Sequence, residues 1–130
     1  MLLDWSGEFD LWLTRTQERA ETGDLKAQLV VDLVDAQLRH LQDLDNEPEE
    51  ETATLRRVRQ SGKYQVWRVA HPFIAGTAVR LIAWFPPEHP DQVVVALFAG
   101  DKAQMGDVFY NSVGARADAA IESYRRMTEQ

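Results

Sequence analysis

The sequence predicts an α+β fold: two N-terminal helices packed on an antiparallel sheet, with a closing C-terminal helix. Three observations carry that reading. Apolar residues recur at helical spacing in the first third, valine, isoleucine and aromatic residues form short runs in the middle, and a second helical pattern closes the chain. The 130 residues suit a single domain, 1–130, large enough to remove roughly two-thirds of its unfolded surface from water.

Each element has its own signal. Ser6 stands where a helix cap is needed, Phe9, Trp12, Leu13 and Thr16 follow with helical spacing, and Gly23 is a natural stop before Asp24 caps the next segment. From Leu25 to Leu44, Ala27, Val30, Val31, Val34, Leu38 and Leu41 trace one stripe. The acidic stretch of about 43–54, with Pro48 inside it, has no periodicity and reads as a mobile loop. Tyr64–Phe73, Val79–Phe85 and Gln92–Phe98 read as three strands, separated by PFIAG and PPEHP turns, which makes an antiparallel meander. Leu2–Trp5 is a candidate further strand. The closing helix, about Ala115 to Met127, gathers Ala117, Ala120, Ile121 and Tyr124 on one face and puts Arg125 and Arg126 at its negative end. Strand periodicity puts Val66, Arg68 and Ala70 on one face of their strand and Arg80, Ile82 and Trp84 on one face of theirs. Whether the two faces coincide depends on register, which the sequence leaves open.

Composition narrows the function. With no cysteine, disulfides and thiolate zinc sites are excluded. Met1-Leu2-Leu3 is followed at once by Asp4, and no apolar run reaches membrane-spanning length, so a soluble, cytoplasmic protein is expected. The net charge of −7 is segregated: residues 1–51 hold 14 acidic and 4 basic side chains, residues 52–87 hold 6 basic and no acidic ones. The central block of Arg56, Arg57, Arg59, Lys63, Arg68 and Arg80 follows directly on the acidic run from Asp43 to Glu51. The two runs either pair on the surface, or the acidic one competes with phosphate for the basic one.

Function-bearing residues concentrate after the last strand, where VVVALF breaks into GDKAQMGDVFY. Gly100 and Gly106 permit tight bends, and Asp101, Lys102, Asp107 and Tyr110 bring a cation, carboxylates and a phenol into one loop. The alternative is a solvated turn with a structural aspartate. His40, His71 and His89 lack the spacing of a paired metal-ligand set, so no metal is expected, and His71 is the one histidine kept for acid–base work. Trp5, Trp12, Trp67 and Trp84 are read as core anchors.

Three patches resemble the RelE/HigB superfamily of toxins from bacterial toxin–antitoxin pairs, in particular its phage-derived HigB-like branch. WSGEFDLWL resembles that family's opening strand and first helix, KYQVWRV with AVRLIAWFPP its central hairpin, and LFAGDKAQMGDVFY with RADAAIESY its final strand and C-terminal segment. The resemblance implies two N-terminal helices against a curved antiparallel sheet, and a metal-independent endoribonuclease acting on mRNA at the ribosome, without a cofactor. By similarity, Arg68, Arg80 and Lys102 would hold the phosphate and Tyr110 would stack on a base or relay a proton. Arg56, Arg57, Arg59 and Lys63 would bind the RNA backbone. A cognate antitoxin is the implied partner, docking beside the N-terminal helices or the sheet edge with Trp12 as its anchor. A non-catalytic binding module of the same fold, ParE-like or a phage-derived interaction protein, is the alternative.

Overall fold

The computed structural model describes residues 1–58, 62–70, 79–101 and 113–128. Within them the chain forms β1 (Leu2–Trp5), α1 (Gly7–Glu21), α2 (Leu25–Gln42), β2 (Leu55–Arg57), β3 (Trp67–Ala70), β4 (Val79–Trp84), β5 (Val93–Asp101) and α3 (Val113–Thr128). The five strands make one sheet in the order β1-β5-β4-β3-β2. Strands β3 to β5 are the antiparallel meander that the spacing of turns predicts, and β2, which the sequence does not signal, extends it antiparallel to β3. The sheet as a whole is mixed rather than wholly antiparallel, because β1 joins its far edge parallel to β5.

The helix signals translate directly into caps. Ser6 accepts from the Phe9 N–H at 3.1 Å and donates to the Leu97 carbonyl at 2.5 Å, so one buried hydroxyl both starts α1 and ties it to β5. Asp24 accepts from the Ala27 N–H at 3.1 Å to start α2. Between them Gly23 adopts φ 98°, and the Asp24 N–H turns back to the Arg19 carbonyl at 3.1 Å.

Strand periodicity divides the core in two. Leu55, Trp67, Val69, Leu81, Ala83, Val94 and Ala96 face α1 and α2, while Val66, Ile82, Trp84, Val95, Leu97 and Phe98 face α3. Leu97 and Phe98 are consecutive yet share a face because Ile82 pairs with Phe98 while Ala83 pairs with Ala96, a bulge that inserts one residue into β5. Each fully buried large side chain here contributes about 1.5–3 kcal/mol of transfer free energy. β3 begins three residues later than its apolar pattern predicts. The reason is Asp118 on α3, whose carboxylate takes the N–H groups of Lys63 at 2.8 Å and Tyr64 at 3.3 Å that a ladder would otherwise use.

Candidate anion site on the sheet

The register settles what the sequence leaves open. Arg56 stands directly opposite Arg68, Arg68 opposite Ile82, and Arg80 opposite Ala70. Directly opposed residues share a face, so Arg56, Arg68 and Arg80 all lie on the face away from α1 and α2, with Arg80 on the diagonal from Arg68. Arg68 and Arg80 are partly buried and Arg56 is exposed. On the other side of Arg80 the register partner is Gly100, so the position of β5 directly opposite carries no side chain, and the nearest ring of that strand on this face is Phe98 on the diagonal. The Arg80 Nη1 donates to the Val79 carbonyl at 3.3 Å, while its Nε is buried with no hydrogen-bond partner among the described residues.

Like charges facing each other across a sheet cost stability, and opposed side chains sit only about 5 Å apart at Cβ. Arginine forks suit a phosphate because two parallel N–H groups can meet two oxygens. One anion is already at its margin: the Glu51 carboxylate lies 3.7 Å from Arg56.

Of the other expected RNA-binding residues, Arg57 and Lys63 are not gathered with this trio. Arg57 is one residue from Arg56 and therefore on the opposite face, its guanidinium 5.0 Å from the Trp67 ring centre and donating to the Glu49 carbonyl at 2.7 Å. Lys63 sits against α3, 3.5 Å from Glu122, and the Tyr64 phenol and then the Glu122 carboxylate raise its ammonium above the ordinary value. Arg57 and Lys63 meet instead along a polar groove of about 570 Å³ beyond the β2 edge, with Glu51, Tyr64 and Gln65. Arg59, Lys102, Tyr110 and His71 lie outside the described residues, as does the rest of the KAQMGD loop.

The acidic segment expected as a mobile loop is irregular in structure, but specific bonds fasten it. Glu47 accepts from the Trp67 indole N–H at 3.2 Å, the Glu47 N–H reaches the Pro90 carbonyl at 3.1 Å, and His40 Nε2 contacts the Thr54 hydroxyl at 3.0 Å. Trp67 and Trp84 are buried anchors as expected. Trp5 is a correction: it is 51% exposed, because β1 is an outer strand with no neighbouring strand on one side among the described residues. Trp12, expected as a partner's anchor, is partly buried and packs on Phe9 with ring centres 6.0 Å apart.

A feature the sequence did not single out lies at the opposite end of the α3 face. Trp84, Pro86, Glu88, His89, Val93, Tyr124, Arg125 and Thr128 line a cleft of about 340 Å³. Arg125 is stacked there between Trp84 and Tyr64, at 5.1 and 5.4 Å from their ring centres, and is paired with Glu88 at 3.2 Å. Its charge is therefore used internally, and the only sequence signal was a basic pair at a helix end. Among the described residues no three of His, Asp and Glu gather as metal ligands would, and no helix is long and apolar enough to cross a membrane. No family model, curated protein or solved structure matches the chain.

Proposed function

We propose that the chain is a toxin of the RelE/HigB kind, a metal-independent endoribonuclease that cuts mRNA at the ribosome and is held in check by a cognate antitoxin. The observation that supports it is the single face shared by Arg56, Arg68 and Arg80, two of which the sequence resemblance nominates for phosphate binding. On this reading the RNA's own 2′-oxygen attacks the adjacent phosphorus, the 5′-oxygen leaves with a proton, and a 2′,3′-cyclic phosphate remains. The protein has to orient the 2′-hydroxyl, move protons and neutralise the phosphorane. Arg68 and Arg80 would supply the charge neutralisation, with Lys102 and Tyr110 completing the set by the resemblance.

The test is to induce the wild-type chain and map mRNA 5′ ends on translating ribosomes, beside Arg68→Ala and Arg80→Ala. New ends in wild type, reduced roughly 100–1,000-fold in each variant, are expected for loss of a transition-state donor. Growth arrest without new ends would replace the nuclease by a binding module of the same fold. New ends at wild-type frequency in both variants would remove the arginine face from the chemistry.

A further inference from the structure

Glu51 is held beside Arg56, the outermost arginine of the shared face. The Thr52 N–H donates to the Leu55 carbonyl at 2.9 Å and the Leu55 N–H to the Thr52 hydroxyl at 3.1 Å, closing a turn that folds the acidic segment back along β2. That turn sets the Glu51 Oε1 at 3.0 Å from the Arg57 N–H, the backbone donor that points away from β3 at the sheet edge. Glu51 Oε2 then faces Arg56 Nη1 at 3.7 Å, and the Arg57 side chain clamps the segment again at the Glu49 carbonyl, 2.7 Å away. The neighbouring carboxylate of Glu47 is engaged on the other face by Trp67. Of these two carboxylates, Glu51 is the one that reaches the arginine trio.

We infer that Glu51 is a built-in competing anion that regulates the arginine face, so that the site takes a polyanionic RNA strand in preference to a free phosphate group. This rests on the phosphate-binding reading given above. The Glu51–Arg56 pair is half exposed, with side chains 32% and 50% accessible, so it is weak enough to open. A single phosphate gains little by displacing a carboxylate already tethered beside its arginine, where the effective concentration is high. A strand carrying several phosphates contacts Arg68 and Arg80 at the same time and releases counterions as it does so, which offsets the loss of the internal pair. The device thus turns away free anions without a moving domain.

Glu51→Gln separates charge from structure, because the amide oxygen still accepts from the Arg57 N–H. Binding of a short 2′-O-methyl RNA, which its own 2′-oxygen cannot cut, is measured over a salt series for wild type, Glu51→Gln, Arg56→Ala and the double variant. The inference expects Glu51→Gln to bind about two- to fivefold tighter at low salt, the size of an exposed ion pair, with the gain fading as salt rises. It also expects Arg56→Ala to abolish the gain, and inorganic phosphate to displace the RNA from Glu51→Gln at lower concentration than from wild type. Equal affinity at every salt concentration, or a gain that persists without Arg56, overturns it. The reading beneath it fails separately: RNA binding indifferent to Arg68→Ala and Arg80→Ala removes the arginine face while leaving an Arg56-dependent gain to stand for Glu51. No RNA binding by wild type or Glu51→Gln at any salt removes both.

Discussion

The Tyr124 hydroxyl donates to the Asp4 carboxylate at 2.7 Å, joining the last helix to the first strand. Burial, and then the adjacent carboxylate, push the Tyr124 phenol well above its ordinary value. A raised phenol favours the folded state while the proton is held: the contribution is full below the unfolded value of 10.0 and is lost as pH climbs from there through the folded value. Tyr124→Phe should therefore lower stability by about 1 kcal/mol at neutral pH and flatten the alkaline decline. Urea midpoints from pH 8 to 11 check this, and parallel declines in the two proteins would remove the bond from the account.

Gly62 is fixed by its neighbour rather than by its own dihedrals. A Cβ there would run into the Asp118 carboxylate, which is bonded to the N–H groups of Lys63 and Tyr64. Gly62→Ala should cost about 1–3 kcal/mol, the range for losing hydrogen bonds to a charged acceptor. In an Asp118→Ala background the same change should cost little, which a double-mutant cycle by chemical denaturation reads directly.

For the arginine face, geometry matters as well as charge. On the proposed endoribonuclease reading, Arg68→Lys and Arg80→Lys keep the cation and lose the fork, so each should remain about 10–100-fold below wild type in RNA cleavage, the equivalent of one charge-assisted hydrogen bond. Full activity in both lysine variants would mean that the face supplies field strength alone.

Trp67 carries both packing and a tether. Its ring is 1% exposed and its indole N–H holds Glu47 at 3.2 Å. Trp67→Phe should keep most of the packing, lose about 1–2 kcal/mol, and free the acidic segment. Faster limited cleavage by a glutamate-specific protease between Glu47 and Glu51, at conditions where the rest of the chain resists, is the expected readout.

Much of the architecture was written locally. Ser6 and Asp24 announce their helices because a capping oxygen acts within three residues, and the stripe from Ala27 to Leu41 follows from 3.6 residues per turn. β4 and the first part of β5 were legible because buried central strands need unbroken apolar runs, but β5 runs on through Gly100 to Asp101, where the sequence reads a bend, because Val79 and Arg80 of β4 pair with those two residues. β2 was not, since three residues reading Leu-Arg-Arg carry too little pattern against a charged background. Missing that strand also hid the split between Arg56 and Arg57, which its two-residue period enforces.

The sequence by itself determined the class of fold, the caps, the helical stripes, the charge segregation and the parity of β3 and β4. Tertiary structure alone decided that β1 runs parallel to β5, that Trp5 is left half exposed, that Glu51 meets Arg56, and that three arginines from three strands share one face. Parity is set within a strand, by the alternation of successive side chains, whereas register is set between strands by bulges, turns and the packing of both faces at once. A one-residue slip of β3 against β4 would have sent Arg68 into the core beneath α1 and α2. The desolvation cost of a buried unpaired guanidinium, together with the burial of Trp67 and Val69 in its place, holds the register that brings the arginines together.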